Sequence, residues 1–281
     1  MTTRVALVGA SGKLGGIIRA VVDAEPGFEI VALLGSRSDL ADIDGADLVV
    51  DASTPSVSID VVRAAIERGI NVLVGTSGWS KERIALVRPL VAAADTGAVF
   101  IPNFSLGSVV GSALAAAAAT LFPSIEIVEA HRDTKVDSPS GTAVRTAELI
   151  AAARDTAGPV AAPHVDQRAR GQQVASVPIH SLRRPGVIAR QETILSAPGE
   201  SLTIVHDTVD PARAYAPGIR IGLAAARDAR GVTVGLDALI DLGLGARPRG
   251  AGAEAPSDHS SGSSPDGGTA PPGQVARVAG A

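Results

Sequence analysis

The residues best suited to chemistry lie in one run, Glu129-Ala-His-Arg-Asp-Thr-Lys-Val-Asp-Ser-Pro-Ser-Gly-Thr-Ala143. Within it, His131 has a side chain that can give or take a proton near neutral pH. Arg132 and Lys135 supply positive charge for an anionic substrate. Ser140-Gly141-Thr142 can open a helix, whose free N–H groups and positive dipole end suit a carboxylate or phosphate. An ordinary capped helix after a solvated charged loop would contain similar residues, so the run alone leaves both interpretations open.

The segments on either side of this run indicate how it is held. Residues 125–128 alternate in the manner of a strand, and residues 143–150 have apolar side chains at helical spacing. The run is therefore predicted to be a strand-to-helix loop. Such loops let a rigid scaffold present reactive side chains.

A glycine-rich turn lies near the N-terminus. Residues 4–8 predict a short buried strand, and an amphipathic helical pattern follows the run Gly9-Ala10-Ser11-Gly12-Lys13-Leu14-Gly15. This order is the setting of a dinucleotide-binding fingerprint, in which glycines make the turn, admit the pyrophosphate and let the helix pack on the sheet. The spacing is GxxGxxG rather than GxGxxG, so purely structural glycines remain the alternative.

The end of the next predicted strand, residues 28–34, bears on the choice of cofactor. An acidic residue here would favour NAD, whereas an arginine accommodates the 2′-phosphate of NADP. No acid stands at the tip of this strand, and Ser36 and Arg37 follow it. The sequence therefore predicts NADPH as cofactor with Arg37 as a contact, and NADH is the alternative.

The first hundred residues alternate between strand and helix patterns. Further strands are predicted at 47–51, 71–74 and 98–101, and helices at 57–68 and 80–94. This alternation predicts an α/β fold with a Rossmann-type, doubly wound parallel sheet, whose ligands bind at the carboxyl ends of the strands. Two loops at those ends are predicted to contact the cofactor: Gly75-Thr76-Ser77, before Gly78, and Ile101-Pro102-Asn103-Phe104.

The second half of the chain has consecutive strand patterns, which predict a separate α+β domain with an open mixed sheet. His180 and His206 fall in predicted strands and receive no role. The predicted elements are a helix at 106–122, a loop at 155–173, strands at 174–182, 186–195 and 201–207, a helix at 216–230 and a closing apolar segment at 232–242. The predicted domains are 1–105 completed by 213–245 for the dinucleotide, 106–212 for substrate and oligomerisation, and a disordered tail at 246–281, which is rich in Gly, Pro and Ser.

Composition argues against several classes of function. The 281 residues include no cysteine, and the five histidines show no ligand spacing, so no metal site is predicted. A net charge of −4 gives no reason to expect nucleic-acid binding. The longest apolar stretch, at 108–122, is shorter than the roughly 20 residues that span a bilayer. With no secretory pattern at the start, we expect a cytoplasmic protein without membrane partners.

The glycine turn at 9–15 and the run at 129–143 together resemble the dihydrodipicolinate reductase family, and the similarity extends over about residues 4–245. The resemblance implies NAD(P)H-dependent reduction of 4-hydroxy-tetrahydrodipicolinate, through dihydrodipicolinate, to tetrahydrodipicolinate in diaminopimelate and lysine biosynthesis. It implies His131 as general acid and Lys135 as a second proton donor or charge partner. Gly141 and Thr142 would hold a carboxylate of the dicarboxylate substrate. It also implies a homotetramer assembled through the second sheet.

Two positions depart from the family pattern. The family usually has a second histidine after the catalytic one, where this chain has Arg132, which can bind a carboxylate but cannot titrate. Arg213 lies two residues before Tyr215 rather than three before an aromatic, which puts its cofactor contact in doubt. A semialdehyde dehydrogenase is disfavoured because the chain has no cysteine nucleophile. The remaining alternative is a catalytically silent NADP-binding regulatory protein with the same fold.

Overall fold

The structure is a computed structural model that describes residues 1–243. The predicted tail at 246–281 lies outside the described residues. The strands are β1 (Thr3–Val8), β2 (Phe28–Leu34), β3 (Leu48–Asp51), β4 (Asn71–Val74), β5 (Gly97–Phe100), β6 (Ser124–His131), β7 (Gln172–Val174), β8 (Val177–Arg183), β9 (Ala189–Ala197), β10 (Glu200–Thr208) and β11 (Gly231–Val234). The α-helices are α1 (Lys13–Ala24), α2 (Ser58–Glu67), α3 (Lys81–Ala93), α4 (Leu106–Ala118), α5 (Gly141–Ala153) and α6 (Pro211–Arg227).

The first sheet has six parallel strands in the order β11-β5-β4-β3-β1-β2. Strands β3, β4 and β5 are buried along their whole length, as expected for near-continuous apolar runs covered on both faces. Helices α2 and α3 pack on one face, and α1 and α6 pack on the other. The predicted Rossmann-type, doubly wound sheet is confirmed.

The second sheet has five strands in the order β10-β9-β6-β8-β7. Strand β6 is parallel to β8 and antiparallel to β9, so the sheet is mixed, as predicted. Buried residues of α4 and α5 pack against β6, β8 and β9 to form the core of this part. That packing leaves the segment between β6 and α5 at the end of the sheet.

The structure corrects the predicted strand at 174–182. The chain reverses between β7 and β8, because Ala175 and Ser176 both have positive φ, at 48° and 71°, and Val174 pairs with Val177. The turn contains no Gly, Asn or Asp, the residues that most readily adopt positive φ, so its sequence resembles a continuous strand.

The predicted helix at 216–230 begins earlier, at Pro211. Asp210 accepts a hydrogen bond from the N–H of Arg213, and proline is well suited to a first helical position, where no N–H is needed. Pro217, expected near the start, lies inside the helix instead.

Other predicted boundaries also shift. Helix α4 ends at Ala118, before the predicted residue 122, and β9 begins at Ala189 rather than at 186. The closing apolar segment forms only β11 and a short 3-10 helix at Asp237–Leu239. In residues 1–243 no helix combines the length and apolar character needed to cross a membrane.

Candidate active site

The predicted catalytic loop connects β6, which ends at His131, to α5, which begins at Gly141. Ser140 caps the helix, since its Oγ accepts a hydrogen bond from the N–H of Ala143 at 3.2 Å. The strand-to-helix position predicted for this run is thereby confirmed. The start of α5 faces the same cleft as His131, because Ser140 and Thr142 both line it.

His131 is paired with a buried carboxylate. Its Nδ1 lies 2.5 Å from Oε2 of Glu129, whose side chain is fully buried. The Nη1 of Arg183 lies 3.1 Å from both oxygens of the same carboxylate. Burial raises the pKa of Glu129, but the hydrogen bonds from neighbours that include His131 and Arg183 outweigh burial and lower that pKa to about 2. Glu129 is therefore an anion at neutral pH.

Arg183 and Glu129 also hold the loop itself. Arg183 donates from Nε to the carbonyl of Lys135 at 3.2 Å and from Nη2 to the carbonyl of Asp137 at 2.6 Å. The N–H of Ser140 donates to Oε1 of Glu129 at 3.3 Å. The ion pair of Glu129 and Arg183 therefore holds the loop at its start, in its middle and at its junction with α5.

The cleft beside His131 is built from both sheets and from α6. Asn103, in a predicted cofactor loop, donates from Nδ2 to the hydroxyl of Ser108 at 2.9 Å and approaches the hydroxyl of Thr142 at 3.4 Å. Predicted cofactor and substrate residues therefore meet at this point. The cleft is lined by Asn103, Ser105, Ser108, His131, Ser140, Thr142, Ala189, Arg190, Gln191, His206, Thr208 and Tyr215.

The two predicted cations of the loop are placed differently. The ammonium of Lys135 lies 2.8 Å from both carboxylate oxygens of Asp137. Lys135 is not among the described residues that line the cleft. Arg132 is exposed, and its charge acts on Tyr215: burial raises the pKa of that phenol, and Arg132 opposes the rise. Arg132 is not among the described residues that line the cleft, although its charge is felt by Tyr215, which does line it.

The glycine turn is packed too closely against neighbouring backbone for side chains at Gly9 and Gly15. Gly9 has φ of +83°, and a Cβ there would lie 2.3 Å from the carbonyl oxygen of Ala52. A Cβ on Gly15 would lie 2.2 Å from the oxygen of Gly9, so α1 packs directly on the turn. Gly12, at the N-cap of α1, has no side chain to satisfy the first N–H groups. These residues fit a nicotinamide dinucleotide, whose pyrophosphate would take that place.

The other predicted cofactor residues follow the same edge of the first sheet. Gly75 is pressed against Phe104 and Leu14, because a Cβ there would lie 2.8 Å from the Phe104 ring and 3.2 Å from Leu14. The N–H of Ala10 donates to Leu34 at the end of β2, and Arg37 follows in an exposed turn. Thr76 and Ile101 are buried, while Ser11, Lys13, Ser77 and Pro102 are exposed.

Sequence reasoning missed several residues around the cleft. The sequence alone assigns no role to Glu129, although it lies two positions before His131 and hence on the same face of a strand. His206 was unassigned; its Nε2 lies 3.2 Å from the hydroxyl of Ser105, and burial lowers its pKa, opposed by Asp207. Arg183, Gln191 and Tyr215 come from distant segments, and nothing local in the sequence associates them with His131.

Gln191 has a fixed orientation at the floor of the cleft. Its Nε2 donates to the hydroxyl of Thr146 at 3.0 Å, and that hydroxyl donates in turn to the carbonyl of Thr142 at 2.9 Å. The amide oxygen of Gln191 is buried and has no hydrogen-bond partner within residues 1–243. This oxygen is an acceptor available to a donor group in the cleft.

Arg213 lies in the first turn of α6 and faces solvent. Its side chain is 91% exposed and lies 3.4 Å from the carboxylate of Asp210. Its contact with the cofactor stays an untested prediction.

Two family models match consecutive parts of the chain. Residues 3–104 match the family described as dihydrodipicolinate reductase, N-terminus, and residues 107–240 match dihydrodipicolinate reductase, C-terminus. A 4-hydroxy-tetrahydrodipicolinate reductase of Clavibacter michiganensis subsp. michiganensis is 56% identical over 279 residues, which is 99% of each chain. One from Streptomyces coelicolor is 41% identical over 85% of this chain and 98% of its own.

A solved structure has the same fold. The dipicolinate-bound dihydrodipicolinate reductase of Paenisporosarcina sp. TG-14 superposes with a TM-score of 0.70 at 26% identity, over 84% of this chain and 98% of that one.

Proposed function

The chain belongs to the dihydrodipicolinate reductase family, and from that premise we propose how its cleft performs the reaction. It is an oxidoreductase that uses a nicotinamide cofactor to reduce 4-hydroxy-tetrahydrodipicolinate in lysine biosynthesis. The product is tetrahydrodipicolinate, reached through the dehydrated intermediate dihydrodipicolinate. The observation on which the proposal rests is the meeting of Asn103 with Thr142 beside His131.

We assign proton donation to His131. A bound reduced nicotinamide supplies hydride; the residues of the glycine turn and of the loops at 75–77 and 101–104 would hold it. His131 lines the cleft with one ring nitrogen bound to Glu129, which leaves Nε2 to deliver the balancing proton to the reduced ring.

The start of α5 is assigned to a substrate carboxylate. Gly141 and Thr142 present backbone N–H groups and a hydroxyl at the positive end of a 13-residue helix. Arg132, exposed and next to His131 in the chain, is assigned to a carboxylate of the same substrate. Lys135 is proposed as the second proton donor or charge partner. Its ammonium group forms an ion pair with Asp137, so this role requires that the bound substrate replaces Asp137 as its partner.

NADPH is the proposed cofactor, and NADH the alternative. Support comes from the absence of an acid at the tip of β2 and from the exposed position of Arg37 just beyond it. The kcat/KM ratio for NADPH over NADH should fall in Arg37→Ala. An unchanged ratio would remove Arg37 from cofactor selection.

We further propose that the chain works as a cytoplasmic homotetramer assembled through the second sheet. Two large apolar side chains on the face of that sheet opposite α4 and α5, Leu182 and Val205, are more than 40% exposed, which suits burial by another subunit. The proposed domains stay 1–105 completed by 213–245, and 106–212. Pairing of β11 with β5 and packing of α6 on the first sheet support this division.

One assay tests the function: oxidation of NADPH in the presence of freshly made 4-hydroxy-tetrahydrodipicolinate. The wild type should turn over, and His131→Ala should lower kcat by on the order of 10²–10⁴-fold, as expected for loss of a general acid. His164→Asn, at an exposed loop position with φ of 59°, is the matched control and should keep wild-type kcat. A wild type without turnover would favour the silent NADP-binding regulator.

A further inference from the structure

Glu129 occupies a position that simple packing does not explain. It is a fully buried carboxylate in a strand whose neighbouring inward residues, Ile125 and Ile127, are apolar. Burying a charge is costly unless the charge is paired and hydrogen-bonded. Here the carboxylate binds the side chains of His131, Arg183 and Ser181 and the N–H of Ser140. Three of these four partners belong to the predicted catalytic loop or hold it.

We propose that Glu129 is the positioning residue for His131: its carboxylate orients the imidazole so that Nε2 faces the substrate, and its charge supports the imidazolium form that donates the proton. This inference rests on the proposed function and adds to it a residue that does not touch the substrate. Arg183 is assigned the supporting role of holding Glu129 and the loop together.

The tautomer follows from the chemistry of the pair. An ionised carboxylate can only accept hydrogen bonds, so the 2.5 Å contact requires that Nδ1 of His131 carries the proton and donates it to Glu129. In the neutral ring, Nε2 is then an acceptor, and in the protonated ring it is a donor aimed at the cleft. The same device, an anion behind a catalytic histidine, fixes tautomer and orientation in other enzymes.

The charge matters as well as the hydrogen bond. The carboxylate faces the Nδ1 side of the ring together with the Arg183 guanidinium, which is held between Glu129 and the loop carbonyls. If the carboxylate were replaced by an amide, Arg183 would remain as an unbalanced positive charge near the imidazolium. Other titratable or charged groups that face His131 across the cleft are Arg190, which pairs with Glu192 and Asp207, and His206 and Tyr215, with Arg132 adjacent in sequence.

The same strand contains a natural control. Glu126 pairs with a histidine and an arginine, His180 at 2.7 Å and Arg170, in the same combination of residue types. Glu126 lies three positions from Glu129 and so points to the opposite face of the sheet. Neither Glu126 nor His180 lines the cleft within the described part of the chain.

The experiment compares Glu129→Gln with Glu126→Gln in steady-state assays. Glu129→Gln should lower kcat by on the order of 10²-fold with little change in the KM for NADPH, because the glycine turn that would bind NADPH lies at the other sheet. Glu126→Gln should keep the wild-type kcat and KM. A Glu129→Gln enzyme with wild-type kcat, or one in which the loss appears in the KM for NADPH and not in kcat, would overturn the proposal.

A second measurement needs no turnover and no change at Glu129. In ¹⁵N-histidine-labelled wild type at a pH where the imidazole of His131 is neutral, its Nδ1 should be protonated and its Nε2 unprotonated, with His131→Gln used only to assign the signal. The opposite tautomer would refute the proposal even if the enzyme is active. A wild type that lacks turnover but shows the expected tautomer would contradict the proposed function and leave the pair intact.

Discussion

Asn71 offers the sharpest test of how α6 completes the first sheet. It opens β4 and is nearly buried, at 7% exposure. Its Nδ2 donates to the carbonyls of Ala226, Arg227 and Ala229 at the end of α6, at 3.0 to 3.2 Å. Its Oδ1 accepts from the N–H of Gly97, at the start of β5, at 2.7 Å. One amide therefore joins two strands to the last helix.

The cost of Asn71→Leu, which keeps the size of the side chain, can be worked from these contacts. The buried N–H of Gly97 loses its side-chain acceptor, which costs about 1–3 kcal/mol. The helix-end carbonyls also lose a shared donor. Those of Arg227 and Ala229 belong to residues that are not buried and can bind water instead, while that of Ala226 is buried, so about 1 kcal/mol more is expected. The sum is about 2–4 kcal/mol in the free energy of unfolding. For a chain of this size it corresponds to a fall of about 5–15 °C in Tm.

Urea unfolding and steady-state kinetics should give different results for this variant. Asn71 lies at the amino end of β4, and Gly75 of the cofactor loop lies just beyond its carboxyl end, so kcat/KM at 20 °C should stay within about twofold of wild type. Thr96→Val is the control in the same corner, since the one hydrogen bond of its side chain within residues 1–243, to the carbonyl of Val91, is long at 3.5 Å. This substitution should cost less than about 1 kcal/mol. Equal stabilities for the two variants would refute the reasoning, as would a selective loss of NADPH binding in Asn71→Leu.

Three further changes have defined outcomes. Gly75→Ala should destabilise the fold by about 1–3 kcal/mol, because the new methyl group displaces Phe104, and it should weaken NADPH binding measured by fluorescence titration. Gly16→Ala is the control: open space surrounds Gly16, so this change should be neutral or stabilising. Equal effects of the two changes would contradict the prediction. Gln191→Leu should raise the substrate KM about tenfold while leaving the KM for NADPH unchanged, since the buried amide oxygen of this cleft residue has no partner among the described residues and a substrate donor would supply one. An unchanged substrate KM would show that this oxygen binds no substrate group. Acid should weaken the fold through Glu129, because the pKa of this carboxyl is lowered from 4.5 to about 2. The stabilisation that it provides is complete above about pH 4.5 and is lost as the pH falls toward 2. In urea unfolding, the free energy of unfolding of Glu129→Gln should therefore fall by up to about 3 kcal/mol less than that of wild type over this pH range. Parallel pH curves for the two proteins would contradict this prediction.

Much of the fold was predictable because its signals are local. Strands β3, β4 and β5 are short apolar runs, and their burial along the whole length is what a parallel sheet covered on both faces requires. The turn at Gly9 was also predictable, since positive φ and close backbone approach leave little choice of residue. The hairpin at Ala175-Ser176 was not, because residues that ordinarily avoid positive φ are held there by strand pairing.

The candidate site was only half predictable for a related reason. His131 and Thr142 belong to one run, so their types and spacing indicate their chemistry. Arg183 and Gln191 reach them through sheet register: β6 pairs with β8 on one side and β9 on the other, which aligns His131 with Arg183 and Glu129 with Gln191. The residue pattern of a single segment does not specify the register between strands. The distant partners of a catalytic residue are therefore found only when the strands are aligned.

The two histidines of the cleft show why proton donation belongs to one of them. His206 is half-buried beside Ser105 with no hydrogen-bonded carboxylate among the described residues, and burial lowers its pKa, which disfavours its charged form. His131 is hydrogen-bonded to an ionised carboxylate, which fixes the orientation of its ring. Arg132, in the place of a second histidine, is a fixed charge that can only attract an anion. Their environments therefore give these three residues different roles, and the one suited to proton donation is the histidine that Glu129 holds.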